Sequence, residues 1–212
     1  MNLVLVEAPA AEPVSTSDFA TQVRVTLDSS EMALVAAMLT AARQLAESTC
    51  AIQLINATYE LRLDQFPCDR FIELTRVPLQ DVLSVKYTDP NGIEQTLSTS
   101  TYTVDKRWTP DQMPASIPTP GRILLNVDQF WPATQFRPNA VRIQFKAGFG
   151  IAGTSVPPAI RQWILLKAAS MFEHREADVL GSGPATTLGF VDMLLAPWKQ
   201  VNAFMGITPE GC

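Results

Sequence analysis

The residues that could do chemistry in this sequence are few and far apart. The only histidine, His174, lies between Glu173 and Arg175 in a stretch with helical spacing, where it is an ordinary surface residue. One histidine cannot form a multi-histidine metal centre, and no HExxH motif accompanies it. The three cysteines form no CxxC pair, which argues against a zinc site. We therefore expect neither a histidine-based catalyst nor a bound metal.

The glycines and carboxylates are no more suggestive of catalysis. Gly148, Gly150 and Gly153 follow a predicted strand, as the glycines of a phosphate-binding loop do. No Lys-Ser/Thr pair follows them and the next helix begins with two prolines, so a turn that needs positive φ is the better interpretation. No carboxylate pair lies in an apolar setting that would raise a pKa. We expect a protein that is not an enzyme and needs no cofactor.

The charge of the chain is concentrated in one segment. The net charge over 212 residues is −5, and residues 1–60 contain all of this excess, with seven acids against two bases. Clustered Lys and Arg would be needed to grip a phosphate backbone, so sequence-specific nucleic-acid binding is not expected. A solvated acidic face is the simplest interpretation. The apolar stretches are too short to span a bilayer, and we expect no membrane partner.

The first 50 residues predict an extended Ala/Pro-rich arm followed by two helices. Ser15 and Ser17 are candidate N-caps for a short helix over about residues 18–25. A longer helix begins at Glu31 and ends near Cys50, because its apolar residues recur at spacings of three and four. This spacing predicts one buried stripe along more than four turns.

The hydrophobic period then changes from about 3.6 to 2, which indicates β-strands. Tyr59, Leu61 and Leu63 alternate with charged residues, and the turn signal at residues 89–92 predicts a hairpin. Six of the sixteen prolines fall between residues 106 and 139, so regular sheet cannot continue there for long. Strands are expected at residues 58–66, 71–74, 83–88, 93–97, 102–105, 122–126 and 141–146.

Two more helices are expected near the C-terminus. Pro157-Pro158 begins a third helix that continues to about residue 177, and a last short helix is interrupted at Pro197. Because helices flank the strands and do not alternate with them, the fold class is α+β. The predicted architecture is a single domain, a small helical bundle of two N-terminal and two C-terminal helices with a central antiparallel β insertion. Its parts are an arm (1–14), a helical pair (15–50), the β insertion (51–150) with a Pro-rich loop (106–139), the C-terminal helices (157–201) and a tail (202–212).

Several segments, in order, resemble a tailed-phage family of head–tail connector proteins, also called head-completion or adaptor proteins. They include PVSTSDFATQVRVT, TYELRLDQFP, RPNAVRIQFKAGFG, VPPAIRQWILLKAASMFEHRE and LLAPWK. The resemblance extends from about Pro13 to Val201. One departure is Cys50 after Thr49, where the family has a glycine that forms a left-handed helix cap.

The resemblance implies a structural protein of the virion neck, made in the cytoplasm of the bacterial host. Family members form a closed ring, usually of twelve copies, beneath the portal protein, and they receive the next neck or tail-completion protein. Genome DNA passes through the ring without sequence-specific binding. The expected partners are therefore further copies of this chain, the portal, the downstream neck protein and the passing DNA.

Two sets of site residues follow as expectations. Trp198, Lys199 and Phe204 are candidates for docking on the portal, although Trp198 alternatively belongs to the core of its own subunit. The acidic residues Asp28, Glu31 and Glu47 are candidates for lining the DNA channel, where like charge would prevent sticking. Two alternative functions stay open. They are another phage neck or tail-completion protein lower in the stack, and an unrecognised enzyme or small-molecule binder.

Overall fold

The structure is a computed structural model that describes residues 2–109, 118–174 and 189–200. The chain divides into two compact units. The helical unit contains the described residues of Ala11–Ile55 and Gly150–Lys199, and the β unit contains those of Met1–Ala10, Asn56–Phe149 and Gln200–Cys212. The residues between the two halves of the helical unit thus form most of the β unit.

Four α-helices lie in the described part of the helical unit. They are α1 (Thr16–Val23), α2 (Ser29–Cys50), α3 (Pro158–Glu173) and α4 (Gly189–Met193), with a 3₁₀ turn at Ala196–Trp198. Ser15 is the N-cap of α1, as one of the two candidates predicted, because its hydroxyl accepts the N–H of Asp18 and Asp18 bonds back to the N–H of Ser15. The last predicted helix, α4, ends at Met193 and is shorter than expected. It is followed by the 3₁₀ turn that contains Pro197.

The helix α2 ends in a left-handed cap although no glycine is present. Ala51 has φ 55° and ψ 35°, and its N–H bonds to the carbonyls of Glu47 and Ser48. The cap geometry that the Thr49-Cys50 departure put in question is thus formed by a residue with a Cβ atom.

The central helix of the unit is α3, which packs on α1, α2 and α4. Ile160, Ile164 and Ala168 are fully buried on one face. At the far end of the helix, the ring of Phe172 meets that of Phe19 from α1 edge to face, with centroids 5.5 Å apart. The apolar composition of α3 therefore reflects burial within its own unit.

The β unit contains two antiparallel sheets. The strands are β1 (Asn2–Glu7), β2 (Ala57–Leu63), β3 (Phe71–Leu74), β4 (Leu79–Thr88), β5 (Glu94–Thr96), β6 (Tyr102–Asp105), β7 (Gly121–Leu125) and β8 (Val141–Ala147). The first sheet has the order β1-β2-β8-β4-β5, and the second has the order β3-β7-β6. All strand pairs are antiparallel.

The predicted alternation places one face of each strand in a shared core. Tyr59 and Leu61 of β2 lie opposite Phe145 and Ile143 of β8, and all four side chains are buried. Ile72 of β3 and further residues from the second sheet join the same cluster. The helices and antiparallel sheets together form an α+β fold, as expected from the sequence.

Residues 2–7 of the predicted extended arm are a paired strand. These residues form β1, which pairs with β2 from Asn2 opposite Arg62 to Glu7 opposite Thr58. Leu3 packs against the β core, and the Glu7 carboxylate accepts a hydrogen bond of 3.0 Å from the Thr58 hydroxyl. The run of Leu and Val before the Ala/Pro-rich residues is what makes this segment a strand.

The glycine run after β8 is a turn and not a nucleotide-binding loop. Gly148 has φ +142°, and a Cβ atom there would lie 2.6 Å from the N atom of Asn56, so only glycine fits. Gly148, Gly150 and Gly153 have the spacing of a dinucleotide fingerprint, but that motif requires a parallel βαβ unit. The strand β8 is antiparallel to both of its neighbours.

The cysteines differ in state. Cys50 is a free thiol, and burial raises its pKa to about 11, with a small opposing effect from the charge of Lys199. It is therefore a neutral core residue at physiological pH. Cys68, in contrast, is disulfide-bonded.

Candidate interaction surfaces

The three portal-docking candidates are in different situations. Trp198 exposes only 9% of its surface and lies in the 3₁₀ turn after α4. Lys199, the next residue, is exposed. Phe204 lies outside the described residues. The structure describes two of the three candidates, Trp198 and Lys199, and of these only Lys199 has an exposed side chain.

Asp28 and Glu31 form the N-terminal cap of α2. The Asp28 carboxylate accepts hydrogen bonds of 2.8 Å from the N–H groups of Ser30 and Glu31, and Glu31 accepts the N–H of Asp28 at 3.2 Å. The hydroxyl and N–H of Ser30 and the N–H of Glu31 keep the pKa of Asp28 below its usual range. Both residues therefore have a local structural role, and Asp28 is exposed while Glu31 is half-buried.

Glu47 does not lie on the surface. Its carboxylate is buried and accepts hydrogen bonds from Gln53 Nε2 at 2.8 Å and from the N–H of Leu54 at 3.0 Å. Its second oxygen accepts a hydrogen bond of 2.7 Å from Arg43. Because α2 places Glu47 on the same face as buried Ala46 and Cys50, its charge is directed into the subunit. The expectation of an exposed acidic residue at this position is wrong.

Arg43 extends this interaction to the segment before α1. Its Nε donates to Glu12 at 2.8 Å, and the Thr40 hydroxyl donates to the other oxygen of Glu12 at 2.9 Å. Burial lowers the pKa of Arg43, but the charges of Glu47 and Glu12 more than offset this effect and raise the pKa above its ordinary value. The guanidinium therefore stays charged between two carboxylates.

The sequence motifs did not identify the most exposed apolar residues. Val127, Phe130 and Phe136 expose 83%, 81% and 99% of their surfaces and lie in the loop between β7 and β8. Large apolar side chains exposed in this way are typical of interaction sites. The sequence signal was the proline-rich stretch over residues 106–139, which predicted irregular structure but not which side chains point outward.

This loop is held in place by specific contacts. The Trp131 ring stacks on Phe66 at a centroid distance of 4.9 Å, and its Nε1 donates to the carbonyl of Asp69 at 2.8 Å. The N–H of Gln135 bonds to the carbonyl of Thr88 at 3.0 Å, and the N–H of Asn139 bonds to Asp64 at 2.9 Å. The exposure of Phe136 is therefore imposed by anchored backbone on both sides.

Next to the loop, a surface depression of about 360 Å³ is lined by three arginines. Arg62, Arg137 and Arg142 contribute to it, together with Gly92 and Glu94 of the β4–β5 hairpin. Arg62 is paired with Glu60 at 2.6 Å, and Arg142 is paired with Glu94. Within the part of the chain that the structure describes, Arg137 has no hydrogen-bond or ion-pair partner.

Two other kinds of site are absent from the residues that the structure describes. Among residues 2–109, 118–174 and 189–200, no group of three or more His, Cys, Asp or Glu side chains is arranged to hold a metal ion. The helices of these same ranges include none that is long and apolar enough to cross a membrane.

Comparisons with known proteins place the fold. No family model matches the chain, and no curated protein matches it at a significant level. Among solved structures, the chain is similar to one from the neck of an empty gene transfer agent (GTA) particle computed with C6 symmetry, with a TM-score of 0.74 and 22% identity. A chain from the virion of a native GTA particle gives 0.73 and 22%, and one from the neck of a native GTA particle computed with C12 symmetry gives 0.69 and 24%. Each match covers 97% of this chain and 99% of the other.

Replacing Glu47 with Ala tests the buried carboxylate. We expect a loss of about 3 kcal/mol in the free energy of unfolding, because Arg43 keeps only Glu12 of its two carboxylate partners and the N–H of Leu54 loses its acceptor. Glu31→Ala, which removes an acid from the surface end of the same helix, should cost only about 1 kcal/mol. Urea unfolding of both variants measures the difference. Equal losses would contradict the account of Glu47.

Proposed function

We propose that this chain is a structural protein of the neck of a tailed phage or phage-like particle, where it acts as the adaptor between head and tail. The observation that supports this proposal most is the whole-chain likeness in fold to chains of GTA necks and virions. That likeness covers both units of the chain, so it is not the match of one common supersecondary motif. The order of sequence segments that resemble head–tail connectors supports the same role independently.

In this proposal the chain forms a closed ring beneath the portal. Two of the similar structures come from necks computed with C6 and C12 symmetry, which favours repeated copies around one axis. Copies in a ring meet head to tail, so each copy uses two different surfaces. Such a contact closes into a ring only when the rotation between neighbours divides the full circle. Twelve copies, with portal on one side and a tail-completion protein on the other, is the arrangement we propose.

For docking on the portal, Lys199 is the described candidate with an accessible side chain. Trp198 is buried, so its contribution would be to fix the turn that presents Lys199. Phe204 stays a candidate on its sequence alone. The three residues therefore divide into one surface contact, one supporting core residue and one aromatic residue in the C-terminal segment.

Co-purification with the portal protein tests the proposed role and the docking residues together. We expect the wild-type chain to bind portal and Lys199→Glu to bind at least tenfold more weakly without a change in melting temperature. Trp198→Ala should lower stability by about 3 kcal/mol, because it removes a large buried side chain. Lys167→Glu, on α3, is the charge-matched control. A wild-type chain that binds a tail component and not the portal would favour a position lower in the neck.

Asp28 and Glu31 stay proposed residues of the DNA channel, whereas Glu47 is withdrawn because it is buried. A ring would repeat these two carboxylates around the axis, and their field would reach DNA within roughly 8 Å at physiological salt. Like charge at that distance would oppose binding of the phosphate backbone and allow the genome to slide.

Reversing both charges tests this placement. The assembled ring of Asp28→Lys with Glu31→Lys should retain duplex DNA in a mobility-shift assay at physiological salt, because a basic lining binds phosphates by counterion release. The control is the same double reversal at Asp69 and Asp128, which are exposed in the β unit. Retention by the control alone, or by neither ring, would place Asp28 and Glu31 away from the channel.

A further inference from the structure

The β unit presents an apolar and basic surface that no contact within the described chain covers. Phe136 is 99% exposed, and the depression begins at the next residue, Arg137. On the other side of the depression, Ile93 is 58% exposed and lies between Gly92 and Glu94, which both line it. We call the surface formed by Phe136, Ile93 and the arginine-lined depression the hairpin surface.

The loop and the hairpin that form this surface are in contact with each other. A Cβ atom on Gly92 would lie 3.8 Å from the Gln135 side chain, and the N–H of Gln135 bonds to the carbonyl of Thr88. The Asp89 side chain holds the hairpin turn by accepting the N–H groups of Asn91 and Ile93 at 2.9 and 3.0 Å. The hairpin surface is thus preformed, which reduces the entropy lost when a partner binds.

The charge of the hairpin surface is positive. Three arginines and one carboxylate, Glu94, line its depression, and Glu94 is shared between Arg142 and Lys86. Arg137 is the cation without a partner among residues 2–109, 118–174 and 189–200. Exposed aromatic residues beside arginine are the composition that dominates binding energy at protein interfaces.

We propose that the hairpin surface binds a second copy of this chain, through the acidic N-terminal part of that copy. Among residues 1–60, the exposed carboxylates Glu7, Asp18 and Asp28 outnumber the one exposed base, Arg24, so the chain itself supplies complementary charge. Asp18 is one exposed carboxylate of that part. The contact joins two different surfaces and is therefore head-to-tail, which is the type that closes a ring.

This inference rests on the proposed neck function only for the ring geometry. The surface and its charge are properties of the subunit, so self-association can be measured without any other neck protein. A duplex DNA partner is less well matched, because neutralising a phosphate backbone needs a row of cationic side chains and not one depression.

Sedimentation velocity of the full chain over a range of concentrations tests the proposal. We expect the wild-type chain to self-associate, and Phe136→Asp and Arg137→Glu each to weaken self-association at least tenfold with an unchanged melting temperature. Lys106→Glu is the matched control, since it makes the same charge change at an exposed residue of the same unit. Phe136→Leu should retain association, because it keeps an apolar side chain.

Four outcomes would overturn the inference. The wild-type chain could stay monomeric at every concentration, or Phe136→Asp and Arg137→Glu could self-associate like wild type. The control Lys106→Glu could weaken self-association as much as Arg137→Glu does, or Arg137→Glu could lose DNA binding while self-association stays intact. Portal binding by the same variants separates this inference from the proposed function. If Phe136→Asp and Arg137→Glu lose portal binding but still self-associate, only the inference is overturned. If the wild-type chain self-associates through the hairpin surface but never binds portal, only the proposed function is overturned.

Discussion

The helical unit depends on the buried carboxylate of Glu47. One oxygen of this group accepts Gln53 and the N–H of Leu54, and the other accepts Arg43, which in turn binds Glu12. Glu47 and Arg43 together therefore tie the C-terminal part of α2 to the segment before α1 and to the chain reversal after α2. Removing Glu47 leaves Arg43 with one carboxylate in place of two and leaves the N–H of Leu54 without its acceptor, which costs more than a surface ion pair contributes. The left-handed Ala51 lies inside this reversal, so the same contacts explain how the turn forms without glycine.

The aromatic side chains that the structure describes are placed differently in the two units. In the helical unit the apolar face of α3 is used internally, and Trp198 is buried as well. In the β unit the loop before β8 is anchored by Trp131 and yet leaves Phe136 in solvent. The exposed phenylalanines of the β unit therefore lie on a loop between two strands, and loops on a rigid sheet are where binding residues commonly occur.

Much of the fold could be predicted from periodicity, and the exceptions have physical causes. The long helix, the hairpin at residues 89–92 and the strands at residues 71–74 and 102–105 were expected within a few residues, because their patterns are regular. The strand β1 was missed because its partner β2 is more than 50 residues away, and pairing at that distance leaves no local signal. Of the site residues, Glu47 was misplaced because an acid in a helix is usually solvated, and only its contact with Arg43 and Leu54 shows otherwise. Phe136 was missed because exposure of a loop residue depends on which neighbours anchor the loop.

The central claim is that this chain belongs to the neck of a phage-like particle as a ring. Electron cryomicroscopy of particles that contain the chain, reconstructed at the portal vertex, tests it most directly. The account predicts a ring of density directly beneath the portal into which both units of this chain fit, with the hairpin surface of each copy against its neighbour. A neck in which no density fits the two units, or a ring in which the hairpin surface faces solvent in every copy, would contradict it.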